Sequence, residues 1–471
     1  MRWPEPAGDG PLTGWSVWAG GGPAAHCAGR LLAALGTRPA AGPDLDGIVL
    51  QAPSGARAQL AGLGGDAATD WAVSGALWLT GHRSGPPLLP PGEAASLAGG
   101  ALLAFGALAT VAGRPVQLDG RRLLGERAAL AGFGRRGPVS AGGGTHLLRA
   151  MDGVVALTLA RDADREAVPA LLGRERTGEP WAAIGRWASR QPAVQVADRA
   201  ALLGIPAAAL PEEAPVLPPY RLCRKGSRTE TDVPLVVDLT ALWAGPLAAN
   251  LLGLTGARVV KVESRSRLDG ARQGPRAFYD LMHAGHRSVL LDLQDRADLD
   301  RLRRLLTAAD LVLEAARPRA LRQLGIGPAD TGGNWLAVRA YDAAGPHANR
   351  VGFGDDVTVG AGLAVRSPRG VILPVGDALA DPVAGMCAAV AGLATLVGDG
   401  SWIVETSLAQ ALSPAGAFGA GLAARRSGRD WVIATPGGPL PVHRPWARPV
   451  PVRPAPPAGA DTAAVFAELA C

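Results

Sequence analysis

Lysine is almost missing from this chain. Of its 47 basic residues only Lys225 and Lys261 are lysines, and the rest are arginines. With so much Ala, Gly and Pro, that bias reads as codon composition rather than chemistry. Aromatic residues make up only 4% of the chain, and the arginines are scattered along it. A basic surface interleaved with stacking rings is therefore excluded, and no nucleic-acid partner is expected. Cysteine is also scarce. Cys27, Cys223, Cys387 and Cys471 form no C-x-x-C pair and fit neither a zinc site nor a disulfide framework, so a reducing cytoplasm is the expected setting. The seven histidines show no ligand spacing beyond His283 and His286, which lack the further ligands of a zinc site, and no metal is expected. The opening Met1-Arg2-Trp3-Pro4-Glu5 has no apolar leader. The most apolar stretch, Leu97 to Val111, is shorter than the roughly 20 residues a bilayer span needs. It reads as a buried helix, with no membrane partner.

What is present is enough for two or three folded units. The chain has 471 residues, 48% hydrophobic and 19% charged, a balance of packed rather than disordered chains. A net charge of +6 suits a polyanionic ligand. A polar, Pro-rich break at 211–232 reads as a linker between two halves. The halves resemble each other. Asp70-Trp71-Ala72-Val73-Ser74-Gly75 is similar to Asp356-Val357-Thr358-Val359-Gly360-Ala361, and the run Gly100 to Thr110 is similar to Met386 to Leu396 at the same offset. Near the opening, Gly22-Pro23 with Leu31-Leu32 pairs with Gly245-Pro246 and Leu251-Leu252 at a smaller offset. A duplication followed by loss of about a quarter of a typical domain from the first copy accounts for both; chance likeness between Ala-rich helices is the competing account.

In the second half, apolar runs alternate with helical periodicity. Val233 to Leu239, Val259 to Glu263, Ser288 to Leu293 and Leu311 to Glu314 read as strands, with a helix over 298–308. That alternation predicts α/β architecture with a doubly wound parallel sheet. Gly132-Phe133-Gly134-Arg135-Arg136-Gly137 fits G-x-G-x-x-G, but no clear strand precedes it and Pro138 follows, so it reads as a loop.

Several motifs in order carry a family likeness. Val237-Asp238-Leu239-Thr240 with Ala244-Gly245-Pro246, then Gly256 to Glu263, Gly285-His286-Arg287-Ser288 with Leu291-Asp292-Leu293, and Ala309 to Glu314 with Arg317-Pro318 lead to Gly376-Asp377-Ala378-Leu379-Ala380-Asp381-Pro382 and a helix of small residues. The chain resembles the class III CoA-transferases, the family of formyl-CoA transferase, carnitine-CoA transferase and α-methylacyl-CoA racemase, over most of residues 234–415 and the closing Gly459 to Leu469. The resemblance implies a Rossmann-like CoA-transferase III fold arranged as a tandem pseudo-dimer. Its units would be a degenerate sheet domain at 1–125, a small α+β domain at 126–210, the linker at 211–232, and a full sheet domain with the C-terminal tail at 233–471. Gly142-Gly143-Gly144 before Leu147 to Leu157 resembles the family's glycine loop and the strand after it; a flexible interdomain turn is the plainer alternative.

By resemblance, Asp381 is the catalytic nucleophile, Gly142, Gly143 and Gly144 cover the active site, and Leu242, Trp243, Ala244, Arg265, Leu291, Arg317 and Arg339 line the CoA site. Without the family, Asp381 before Pro382 reads first as a helix N-cap, and the family context reverses that reading. Three slots depart from the pattern, since Gln294, Ala315 and Gln323 stand where relatives often carry Lys, Asn and Arg. The racemase branch pairs its Asp with a His just before the segment matching Asp356-Val357; here that slot holds Asp355, and two-base proton exchange lacks its partner. The implied activity is transfer of CoA from an acyl-CoA to a carboxylic acid through an aspartyl anhydride and an aspartyl-CoA thioester. Both substrates are transient, and no cofactor stays bound. The alternatives are a non-catalytic relative that binds acyl-CoA, and an acyl-CoA isomerase or racemase. Further pairing of the chain into a homo-dimer stays open.

Overall fold

The computed structural model describes residues 9–42, 46–174, 179–229 and 231–469. Its largest element is a seven-stranded sheet. In spatial order the strands are Arg287–Leu291, Arg258–Ser264, Leu235–Asp238, Leu311–Glu314, Asn334–Arg339, Ser401–Ser407 and Arg221–Gly226. The first six run parallel. Numbered by their order in the chain they read 3-2-1-4-5-6, the doubly wound order whose direction reverses beside its first strand. The expected α/β sheet is therefore present, with strand ends shifted by a residue or two.

The sheet forms because its strands are apolar on both sides. Val236, Leu311, Leu313 and Leu336 face one core, while Leu235, Val237, Val312 and Trp335 face the other. Burial on both faces is what parallel strands require. The helix Arg296–Thr307 covers the second face, capped by the Asp295 side chain, which accepts from Asp298 N–H at 3.1 Å. The helices Ala244–Leu254 and Ala380–Val397 cover the first.

The 211–232 segment does more than link. Its strand Arg221–Gly226 pairs antiparallel with Ser401–Ser407 and closes the sheet edge. Tyr220 donates its hydroxyl to the Cys387 carbonyl at 2.9 Å. The sheet of the first 125 residues is smaller and mixed. Only Ser16–Gly20 and Arg38–Pro39 run parallel; Gly47–Gln51 and Arg57–Ala61 add on antiparallel. The parallel winding anticipated for that half is confined to one strand–helix–strand unit around the helix Pro23–Ala33. Residues 145–209 carry a three-stranded antiparallel sheet, Thr145–Arg149, Val154–Thr158 and Ala207–Ala209, with helices packed on it.

The helices Ala94–Val111 and Ala380–Val397 each have 18 residues, are long and apolar enough to cross a membrane, and are mostly buried inside the fold. Residues after 441 form a strap back across the first half. His443 N–H donates to the Ala72 carbonyl, and Arg448 pairs with Glu126 at 2.7 Å. The helix Thr462–Glu468 then docks beside Arg287–Leu291, where Asp461 accepts from Ser288 N–H at 2.8 Å.

Candidate active site

Every CoA-site candidate lies at the carboxyl ends of the parallel strands, the edge where open α/β sheets bind ligands. Leu242, Trp243 and Ala244 follow Leu235–Asp238; Arg265 follows Arg258–Ser264; Leu291 and Arg339 end their own strands; Arg317 follows Leu311–Glu314. Their environments differ. Arg265 and Arg317 are exposed. Leu291 is fully buried in the core, and its carbonyl accepts from Arg265 N–H at 2.8 Å. The Arg339 guanidinium is already engaged, donating to Glu314 at 2.8 Å and to the Ala316 carbonyl at 2.6 Å. Trp243 is 2% exposed, and its Nε1–H has no hydrogen-bond partner among the described residues.

Two strained residues mark two turns of this region. Among the described residues, Leu242 (φ 72) and Ala378 (φ 45) are the non-glycine residues with positive φ. Such backbone costs roughly 1–2 kcal/mol and persists where the surroundings fix it. Leu242 N–H is held by Asp269 Oδ1 at 2.9 Å, and Asp269 pairs with the buried Lys261 at 2.9 Å. Around Ala378, Gly376 N–H donates to Thr80 Oγ1 at 3.0 Å, Ala378 N–H to Asp355 Oδ1 at 2.8 Å, and Ala380 N–H to Thr358 Oγ1 at 3.1 Å. Thr80 comes from the first half of the chain. The two turns are neighbours, since a Cβ on Gly385, one helical turn after Asp381, would lie 2.6 Å from the Ala244 carbonyl oxygen.

Asp381 is half-buried at the first turn of its helix. Burial pushes its carboxyl up to about 7; the Arg127 charge and a Gly354 backbone hydrogen bond oppose the rise, and Asp355 and Asp377 add to it. Gly354 sits directly against the carboxylate, where a Cβ would lie 2.3 Å from Asp381 Oδ2. Asp355, in the slot of the racemase histidine, accepts from Thr145 Oγ1 at 3.3 Å as well as from Ala378 N–H. Burial, and then the Asp377 charge, raise its carboxyl. Asp356 is fully buried and accepts from Phe353 N–H at 2.9 Å and Thr158 Oγ1 at 3.2 Å; burial still pushes it up to about 8.

Residues of the first half complete the cluster. Arg127 donates from Nε to Asp377 Oδ2 at 2.9 Å and from Nη2 to Asp377 Oδ1 at 2.6 Å, a bidentate pair spanning 250 residues of sequence. Burial works against this cation, but the Asp377 carboxylate outweighs it and holds Arg127 protonated. The Arg127 guanidinium lies 5.0 Å from the Trp243 ring centroid and 5.9 Å from that of Phe133. The glycine loop borders the same pair, because a Cβ on Gly142 would stand 3.6 Å from Arg127 Nη2 and 3.7 Å from Asp377 Oδ1. Gly143 needs its φ of 83 for the turn, and Gly144 leads into Thr145–Arg149. The structure thus gathers Asp381, Trp243 and the glycine loop around Asp377 and Arg127, while Arg265 and Arg317 follow the strands on either side of Leu235–Asp238. Sequence reasoning did not single out Arg127, Gly354 or Thr145. Arg127 lies in a short helix with no motif around it; Gly354 stands just before the Asp355 slot, the one local hint.

The acid and the strained turns stand at the carboxyl edge of a doubly wound sheet, the edge where open α/β sheets bind ligands. The CoA-transferase family III model matches residues 234–413, and over that stretch the chain is similar to the class III CoA-transferases. It is 35% identical over 178 residues to a probable fatty acyl-CoA transferase of Mycobacterium tuberculosis, covering 34% of this chain and 45% of that protein. It is 28% identical over 174 residues to a succinyl-CoA–D-citramalate CoA-transferase of Chloroflexus aurantiacus, covering 33% and 43%. A crystal structure of a hypothetical protein from Mycobacterium tuberculosis shares 31% identity over 40% of this chain and 57% of that one, with a TM-score of 0.36. The chain spans about half the length of the curated relatives it matches.

Proposed function

We propose that this protein is a CoA-transferase that moves CoA from an acyl-CoA to a carboxylic acid, with Asp381 as the nucleophile. The observation that carries the reading is the Asp381 carboxylate, half-buried beside the Leu242-Trp243-Ala244 turn and freed of any side chain at Gly354. In the proposed sequence the carboxylate attacks the thioester carbonyl, CoA thiolate leaves, and a mixed anhydride forms. The thiolate attacks the aspartyl carbonyl, releases the first acid and leaves an aspartyl-CoA thioester. The acceptor carboxylate displaces CoA to give a second anhydride, and the thiolate takes the new acyl group and restores Asp381. The loop Gly142 to Gly144 would cover these intermediates and keep water out, although its Gly143 N–H is already held by the Ser140 carbonyl at 2.9 Å. Acyl-CoA and the acids are the partners, in a reducing cytoplasm.

The site would be shared between two fused copies. The helices Ala94–Val111 and Ala380–Val397 have equal length and pack together, as do the shorter helices Pro23–Ala33 and Ala244–Leu254 on their own long partners. The first copy has no carboxylate in register with Asp381, where Ala95 stands.

One observation favours a non-catalytic acyl-CoA binder. Gln294, Ala315 and Gln323 are exposed and uncharged, and Arg339 is tied to Glu314. Intact-protein mass spectrometry after mixing with a panel of acyl-CoAs separates the readings. A CoA-sized adduct that is lost in Asp381→Ala supports the transferase. CoA binding with no adduct from any donor supports the binder.

A further inference from the structure

We infer that Arg127, supplied by the first half of the chain, is the receptor for the carboxylate of the acceptor acid. The inference rests on the transferase reading. That chemistry brings an anion up to the Asp381 carbonyl, into a cluster holding Asp355, Asp356 and Asp377. Arg127 is the cation whose charge reaches Asp355, Asp377 and Asp381.

Its geometry suits the task. A guanidinium has two edges that can each grip a carboxylate through parallel N–H donors. Asp377 occupies the Nε/Nη2 edge. Nη1 makes no hydrogen bond among the described residues, so the Nη1/Nη2 edge keeps one donor on each nitrogen. The Arg127 side chain is 27% exposed while Asp377 is 0% exposed, so the arginine can be reached from outside and its internal partner cannot. Trp243 and Phe133 flank the guanidinium, and Gly142 leaves the space beside Nη2 free of a side chain. Asp377 thus fixes the fork, and the second edge remains for an acid delivered to Asp381.

The test is isothermal titration of sodium butyrate and sodium succinate into the CoA-saturated protein, which needs no turnover. Arg127→Gln is expected to weaken binding of both acids roughly tenfold or more, the scale of one charge-assisted pair. Arg127→Lys should recover part of the loss. Asp377→Asn removes the competing carboxylate while keeping a hydrogen-bond acceptor for the fork, and should tighten binding. A residue that merely braced the turn would behave differently, with Asp377→Asn and Arg127→Gln failing together. Equal affinity in wild type and Arg127→Gln, weakening in Asp377→Asn, or no carboxylate binding by the wild type overturns the inference. The mass-spectrometric adduct reports separately on the reaction. An adduct with no carboxylate bound at Arg127 removes the inference alone; carboxylate binding at Arg127 with no adduct removes the transferase reading.

Discussion

Gly354 and Asp381 are in direct contact, so close that a single added carbon on Gly354 would fall 2.3 Å from the carboxylate oxygen Oδ2. The contact joins the start of the helix Gly354–Gly360 to the acid at the start of Ala380–Val397. A methyl group there must push the carboxylate aside, because Ala378 crowds the same space, with its carbonyl oxygen 2.4 Å from the built Cβ. Gly354→Ala is expected to lower adduct formation at least about 100-fold, since small displacements of a nucleophile cost that much. The stability loss should stay within about 1–3 kcal/mol, the usual cost of overpacking. Adduct mass spectrometry and thermal unfolding together check it; an unimpaired variant would mean that this carboxylate is not the reacting group.

Asp381 also sets a pH dependence. Only the carboxylate form attacks, and burial raises the group to about 7. The rate of adduct formation should climb through a midpoint near pH 7 and level off roughly a unit above it, and Arg127→Gln should move that midpoint upward by removing the opposing cation. For stability the sign is reversed. The folded group stays protonated from the unfolded carboxyl range near ~4 up to about 7, so the native state binds more protons and loses stability as pH rises through that window. Asp381→Asn should therefore match the wild type near pH 4 and exceed its melting temperature at pH 8. A stability gain that is the same at both pH values would contradict the raised value.

The strain at Ala378 can be measured. With φ 45, it pays a left-handed cost of roughly 1–2 kcal/mol that glycine escapes, less the extra freedom glycine has when unfolded. Ala378→Gly should gain up to about 1 kcal/mol in urea or thermal unfolding. If the turn's shape matters and its stiffness does not, activity is retained. A destabilised variant would show that the methyl group packs better than the backbone geometry implies.

The C-terminal strap is held by a nearly buried ion pair. Arg448 donates to Glu126 from Nε at 2.7 Å and Nη2 at 3.0 Å, and from Nη1 to Asn250 at 3.1 Å. Glu126 begins the short helix that carries Arg127. Arg448→Met strands a fully buried carboxylate and is expected to cost about 3–5 kcal/mol. The paired replacement Glu126→Leu with Arg448→Met should recover most of that loss. Calorimetry of the single and double variants decides it, and a single variant within about 1 kcal/mol of wild type would show that the strap is not anchored there.

The sequence alone determined the α/β sheet of the second half, because alternation of buried faces is a local property. Val236 and Val237 point to opposite cores whatever lies beyond them. It also located Asp381 at a helix start and the glycine loop before Thr145, through motifs read within a few residues. Arg221–Gly226 hid inside a polar break, because an edge strand with exposed side chains lacks the apolar run that marks the others. The first half's mixed sheet was out of reach for a related reason, since strand direction depends on which segments meet. Only the tertiary structure decided that Arg127 meets Asp377, that Gly354 meets Asp381, and that Arg339 spends its charge on Glu314. A charge carries no local signature of its partner; the pairing is fixed when distant elements pack and leave a buried carboxylate with one cation in reach.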